Sequence, residues 1–185
     1  MVVPFLFNFH SANKKYMHLN IEIKARCYKP DAIRKYLLNN NAEFKGTDHQ
    51  RDTYFNVPNG RLKLRQGIIE NSLIHYEREN QPGPKSSQVS LYKVTDGDIL
   101  RNTLERALGI KVVVEKQREI YFIDNVKFHI DEVPGLGSFA EIEAIDTNGS
   151  IGKEKLQEQC EFYLKVFDIK EEDLLTDSYS DMLLK

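Results

Sequence analysis

Apolar and polar residues alternate over 19–28, with Ile21, Ile23, Ala25 and Cys27 on one side and Asn20, Glu22, Lys24 and Arg26 on the other. A period of two predicts a strand with one buried face. Pro30-Asp31 opens a helical stretch over 32–38, closed by Asn39-Asn40-Asn41. Aromatic and β-branched residues predict a strand over 52–57, Pro58-Asn59-Gly60 a turn, and 61–66 alternates again. Strands follow over 73–79 and 88–94, separated by a Pro/Gly/Ser loop, and a helix over 98–108 takes Asp96 or Asp98 as its cap. Residues 112–123 and 126–132 read as a long hairpin turning at Asp124-Asn125. After Pro134-Gly135-Leu136-Gly137 come a strand over 138–145, the longest helix over 151–167, and a tail over 171–185. About eight strands with three helices define an α+β protein dominated by antiparallel pairing, and so many strands close into a barrel or stack as a sandwich.

Composition narrows the class. The 185 residues carry 26 Lys and Arg against 28 Asp and Glu, a net charge of −2, which argues against a nucleic-acid partner. Cys27 and Cys160 lie far apart, so neither a disulfide framework nor a zinc site is indicated. No apolar run is long enough to span a membrane. Residues 2–9 are apolar but lack a basic flank and a small-residue cleavage site, so no signal peptide is expected, and the localisation is read as cytoplasmic. The working domain is expected to start near Met17, with 1–16 an N-terminal extension (or an added strand or packing arm) and 17–185 a single domain.

The polar faces change the picture further. They carry Glu22, Lys24 and Arg26; Arg61, Lys63 and Arg65; Arg78 and Lys93; Lys116 and Arg118; Lys127, His129 and Asp131; and Glu141 and Glu143. Ten cations stand there with four carboxylates, although the chain is nearly neutral. On any one strand such charges ordinarily face water. Together they suggest a shared cavity, because Lys and Arg opposed on paired strands repel unless an anion neutralises them. Many guanidinium and ammonium groups around one cavity suit a polyphosphate. The carboxylates suit a divalent cation that bridges to phosphate oxygens, and Glu141 and Glu143, two apart, leave their strand in the same direction. Such a set belongs to metal-assisted phosphoryl or nucleotidyl transfer.

The run Asn20-Ile21-Glu22-Ile23-Lys24-Ala25 resembles the ExExK signature of the CYTH superfamily, the triphosphate tunnel metalloenzymes. The resemblance runs from about residue 18 to the end, through DTYF (52–55), GRLKLR (60–65), LIHYERE (73–79), VVVEKQR (112–118), VKFHIDEVPGLG (126–137) and FAEIE (139–143). It implies an eight-stranded antiparallel β-barrel with a charged bore, helices packed outside, and Mg²⁺ or Mn²⁺ as cofactor. It implies triphosphate binding by Lys24, Lys63, Arg65, Arg78, Lys116 and Arg118, with Lys116, Arg118 and Asp131 in catalysis. Glu22, Glu141, Glu143 and Asp131 are the implied metal ligands. Lys93, Arg61 and His129 are further inward candidates, while Arg26 and Lys127 rest on alternation alone. Asn20 stands where the signature has its first glutamate, which removes one coordinating charge.

The superfamily includes class IV adenylate cyclases, thiamine triphosphatases, inorganic tripolyphosphatases and RNA triphosphatases. A cyclase sends the ribose 3′-oxygen of ATP onto the α-phosphorus, and a hydrolase sends water onto the terminal phosphorus. The tail Ser178-Tyr179-Ser180-Asp181 resembles that of proteins named class IV adenylate cyclase-like, which makes the cyclase the leading expectation. A triphosphate hydrolase and a non-catalytic polyphosphate or nucleic-acid binder stay open beside it. The expected partner is a small-molecule triphosphate (ATP, tripolyphosphate or thiamine triphosphate), and a homodimer is left open.

Overall fold

The computed structural model describes residues 17–77 and 83–185. The chain runs β1 (Met17–Arg26), α1 (Pro30–Asn39), β2 (Glu43–Phe55), β3 (Arg61–Gln66), β4 (Ser72–Glu77), β5 (Lys85–Lys93), α2 (Gly97–Leu108), β6 (Ile110–Ile123), β7 (Val126–Val133), β8 (Gly137–Asp146), α3 (Lys153–Val166) and α4 (Tyr179–Leu183). The strands form a closed barrel in the order β1-β5-β4-β3-β2-β6-β7-β8, with β8 returning to β1 and every pairing antiparallel.

The barrel's outer face holds the larger apolar cluster among the described residues, and a smaller one gathers Tyr54, Val114, Val133 and Phe139 with Tyr179 of α4. Ile21 and Ile23 of β1, Phe128 and Ile130 of β7, and Ala140, Ile142 and Ala144 of β8 pack with Ile33 and Leu37 of α1 and with Leu156 and Cys160 of α3. Alternation then sends the intervening residues of the same strands into the bore. Helix starts follow local chemistry. Pro30 sits in the first turn of α1, and Asp96 caps α2 by accepting the Ile99 amide at 3.0 Å, which resolves the Asp96-or-Asp98 choice.

Two elements depart from expectation. Strand β2 begins at Glu43, not 52. Residues 43–51 carry polar side chains on both faces, so no apolar alternation marks them. Gly46, at φ 123°, sits at a register shift opposite β6, a conformation that disfavours a side chain. The tail is also structured, giving a fourth α-helix among the described residues where three helices were expected. Leu174 bridges Ala25, the Leu175 amide donates to the Lys24 carbonyl at 2.9 Å, and Ser178 and Asp181 form a capping box for α4. The 1–16 extension, Arg78 and Glu79 lie outside the described residues.

Candidate active site

The interior cavity has a volume of about 720 Å³ and is lined from all eight strands. Lys24, Lys63, Arg65, Lys116 and Arg118 all reach it, as do Glu22, Glu141, Glu143, His129, Lys127 and Lys93. Eight Lys and Arg side chains line it against five Asp and Glu, an excess of three positive charges.

The charges form three linked groups. Near the tail, Arg118 grips Asp131 with two hydrogen bonds of 2.6 and 2.5 Å and reaches Glu141 at 2.7 Å. Glu141 also pairs with Lys24 at 3.0 Å and with His129 Nδ1 at 3.2 Å. Tyr179 of α4 donates its hydroxyl to Asp131 at 2.8 Å, and Lys24 Nζ stands 4.1 Å over its ring. In the second group Asp52 accepts two bonds from Arg65, at 2.8 and 2.9 Å, one from Lys116 at 2.8 Å and one from Lys63 at 3.1 Å. In the third, Glu70 receives Arg65 at 2.7 Å, Gln50 at 3.0 Å, and Lys127.

Burial and neighbouring charges set the protonation states. Burial alone would raise the Asp52 carboxyl, but Arg65, Lys116 and Lys63 hold it well below the usual carboxylate range. Burial, with the cations Arg65, Arg118 and Lys63 adding to it, pushes the Lys116 ammonium down to about 7. Burial, then Arg118 and Lys127, brings His129 down to about 3, so its ring is neutral near pH 7.

Other sequence-derived candidates fall elsewhere. Asp131 stands behind Arg118, outside the cavity lining. Arg61 reaches Asp181 of α4 at 2.9 Å. Arg26 is exposed over the Phe139 ring. Asp52, Glu70 and Tyr179 had no assigned role in the sequence. Asp52 shares the parity of Tyr54 in an alternating strand, and Ser178 and Asp181 have capping-box spacing, so both carried a signal; Glu70 sits in a loop and carried none.

Glu22 and Glu143 are directly opposed on β1 and β8 and both line the cavity. Opposed like charges destabilise a sheet unless something positive lies between them, so this donor pair fits a hard divalent cation. Among the described residues no three Asp, Glu, His or Cys side chains gather into a complete metal cluster. Two carboxylates completed by phosphate oxygens are a common way to hold Mg²⁺. Beyond the charges, Ile69, Ile74, Val89, Leu91, Ile120 and Phe122 give the cavity an apolar wall.

A model of the CYTH domain family matches residues 18–179. A Methanocaldococcus jannaschii protein provisionally named an adenylate cyclase is 26% identical over 180 residues, 89% of this chain and 98% of that protein. Adenylate cyclase CyaB of Aeromonas hydrophila is 32% identical over 136 residues, 66% of each chain. Among solved structures, a conserved Pyrococcus furiosus protein superposes with a TM-score of 0.73 at 26% identity, covering 88% of this chain and 98% of that one. A Hippeastrum protein, provisionally named an adenylyl cyclase and described as having a dominant triphosphatase activity, shares the fold at a TM-score of 0.58 and 14% identity, covering 90% of this chain and 94% of that one. No helix among the described residues is long and apolar enough to cross a membrane.

Proposed function

The chain belongs to the CYTH domain family of triphosphate-processing metalloenzymes, and from that premise we propose that it is a class IV adenylate cyclase-like enzyme converting ATP to cyclic AMP and pyrophosphate. One observation carries the reading: stacked cations, two opposed carboxylates and an apolar wall share a single cavity. The cations suit three phosphates, and the apolar wall suits an organic group attached to them, which inorganic tripolyphosphate lacks.

In this reading Lys24, Lys63, Arg65, Lys116 and Arg118 hold the phosphate oxygens, and Arg78 is proposed to join them. Asp52 keeps Arg65, Lys116 and Lys63 aimed inward, and Asp131 with Tyr179 keeps Arg118 in place. Glu22 and Glu143, with Glu141 beside them, would hold Mg²⁺ or Mn²⁺. When bound, that ion supplies Lewis-acid neutralisation of the phosphate oxygens. The bond from O3′ to the α-phosphorus forms in line as the bond from that phosphorus to the bridging oxygen breaks; the O3′ proton passes to water, and the electron pair leaves on pyrophosphate. Lys116 and Arg118 face the charge that develops on the leaving group. The domain is proposed to span 17–185 and to work in the cytoplasm.

A second reading, hydrolysis of the terminal phosphate, is favoured by the triphosphatase activity named for the Hippeastrum relative in fold. Purified protein with ATP and Mg²⁺ or Mn²⁺ separates the readings. Cyclic AMP with pyrophosphate supports the cyclase, and orthophosphate supports the hydrolase. Tight binding without turnover would leave a polyphosphate binder and overturn both.

A further inference from the structure

The loop between β3 and β4 is shaped to place one carboxylate in the bore. Asp48, buried on β2, accepts the amides of Ile68, Ile69 and Glu70 at 2.8, 3.1 and 3.1 Å. Gly67 is required beneath them, since a Cβ there would stand 2.4 Å from Asp48 Oδ2. The loop backbone is therefore fixed by Asp48 and does not depend on the Glu70 side chain. That side chain reaches between Arg65 of β3 and Lys127 of β7, two strands that are not neighbours in the barrel, and so its carboxylate lies inside the lumen. Gln50 Nε2 supplies a further donor at 3.0 Å. A guanidinium, an ammonium and an amide converging on one anionic oxygen pair are the surroundings a phosphate group seeks.

We infer that Glu70 occupies a position in the bore that a phosphate would take, and is displaced from it when a triphosphate binds. The inference rests on the reading of the bore as a triphosphate site and adds the identity of the group exchanged for one of the phosphates. Only the side chain has to swing, because the backbone stays on Asp48. A polyphosphate already held by Lys63, Lys116 and Arg118 presents its next phosphate at high local concentration, whereas a lone small anion has to compete from solution. Glu70 thus keeps Arg65 and Lys127 neutralised between turnovers and weakens ligand binding in return.

The test is calorimetric titration of metal-free protein with tripolyphosphate, for wild type and Glu70→Gln, at low and high salt. Glu70→Gln is expected to bind about tenfold more tightly, since the ligand no longer displaces a charge-assisted pair. The ratio between the two proteins should persist at high salt, because the exchange is local. A ratio that collapses to one as salt screens the charges would mean a through-space effect and overturn the inference. Equal or weaker binding by Glu70→Gln would overturn it too, by showing that Glu70 orders the cations and does not stand in for a ligand. If wild type binds no tripolyphosphate, the triphosphate reading of the bore is what fails. Should Glu70→Gln not fold, Glu70→Asp retracts the carboxylate while keeping its charge, and a smaller gain in affinity is expected.

Discussion

Strand β8 shows two environments on one wall. Ala140, Ile142 and Ala144 point outward under α3, and Glu141 and Glu143 point inward. The outward contacts stabilise the fold whether or not a ligand is present, because apolar burial is favourable by itself. The inward charges have lost much of their water and recover it only through one another, an exchange close to neutral for stability. Every cation in the three ionic groups already has an acidic partner, so ligand binding there is a change of partners more than a filling of vacant charge. The folding free energy therefore belongs mainly to the outer face and the chemistry to the inner.

The sharpest way to break that division is Leu156→Ala in α3. Leu156 is 0% exposed in the outer core. A loss of about 2–5 kcal/mol is expected from denaturant unfolding, from lost burial plus the cavity left behind. Affinity for tripolyphosphate, measured well below the unfolding midpoint, should stay within about twofold. A large fall in affinity would show that outer packing sets the bore.

The reverse variant is Glu143→Gln, which keeps the shape of an inward side chain. Divalent-dependent turnover should drop by more than about a hundredfold, since loss of a residue merely supporting a metal ligand already costs about 10–100-fold. The melting temperature should hardly move. Near-normal turnover would remove Glu143 from the site.

These two residues also mark what the sequence made legible. The alternation in β1, β3, β6, β7 and β8 separated an apolar side from a charged side and placed Lys24, Arg65, Lys116 and Glu141 on the charged one. Alternation did not say which side was inner; the charge pattern and the resemblance did. The first half of β2 was lost because a strand with water on one face and a polar bore on the other has no apolar periodicity. With it went Asp48 and Gln50. Glu70 was lost because a loop anchored by Asp48 leaves no periodic trace. The expected excess of unneutralised cations was too large because Asp52, inside the predicted strand over 52–57, was given no role, and because Glu70 adds a second carboxylate from the loop.

Ligand-linked stability sharpens the comparison from the inner side. Tripolyphosphate at about a hundred times its dissociation constant should stabilise the protein by about 2.7 kcal/mol, and the gain should shrink as salt is added. No shift in melting temperature at low salt would contradict a triphosphate cradle.

A smaller effect is expected with pH. Lys116, at about 7, loses its proton as pH rises through neutrality, and a polyanion beside it favours the ammonium. Binding should then take up a proton, and affinity should fall by at most about tenfold per pH unit above about pH 7. Calorimetry in two buffers of different ionisation heat reads the uptake directly. His129, at about 3, stays neutral throughout and contributes nothing to that slope. No proton uptake would place Lys116 away from the bound phosphates.

The finest test concerns Asn20, where this chain leaves its family signature. Asn20 donates its side-chain amide to Glu143, and its own side-chain oxygen is buried with no hydrogen-bond partner among the described residues. The amide thus neutralises part of the Glu143 charge without adding one. In Asn20→Glu two carboxylates meet where an amide met a carboxylate, so the metal-free protein should be less stable. The same added oxygen should strengthen a hard-cation site shared by Glu22 and Glu143, lowering the Mg²⁺ or Mn²⁺ concentration for half-maximal turnover by a few-fold. Turnover at saturating metal can move either way, because a more neutralised cation is a weaker Lewis acid. The informative pair is a lower metal-free melting temperature with a lower half-saturating metal concentration. A less stable protein with unchanged metal dependence would mean that Asn20 meets Glu143 away from the cation, leaving Glu22 and Lys24 as the members of β1 that belong to the site.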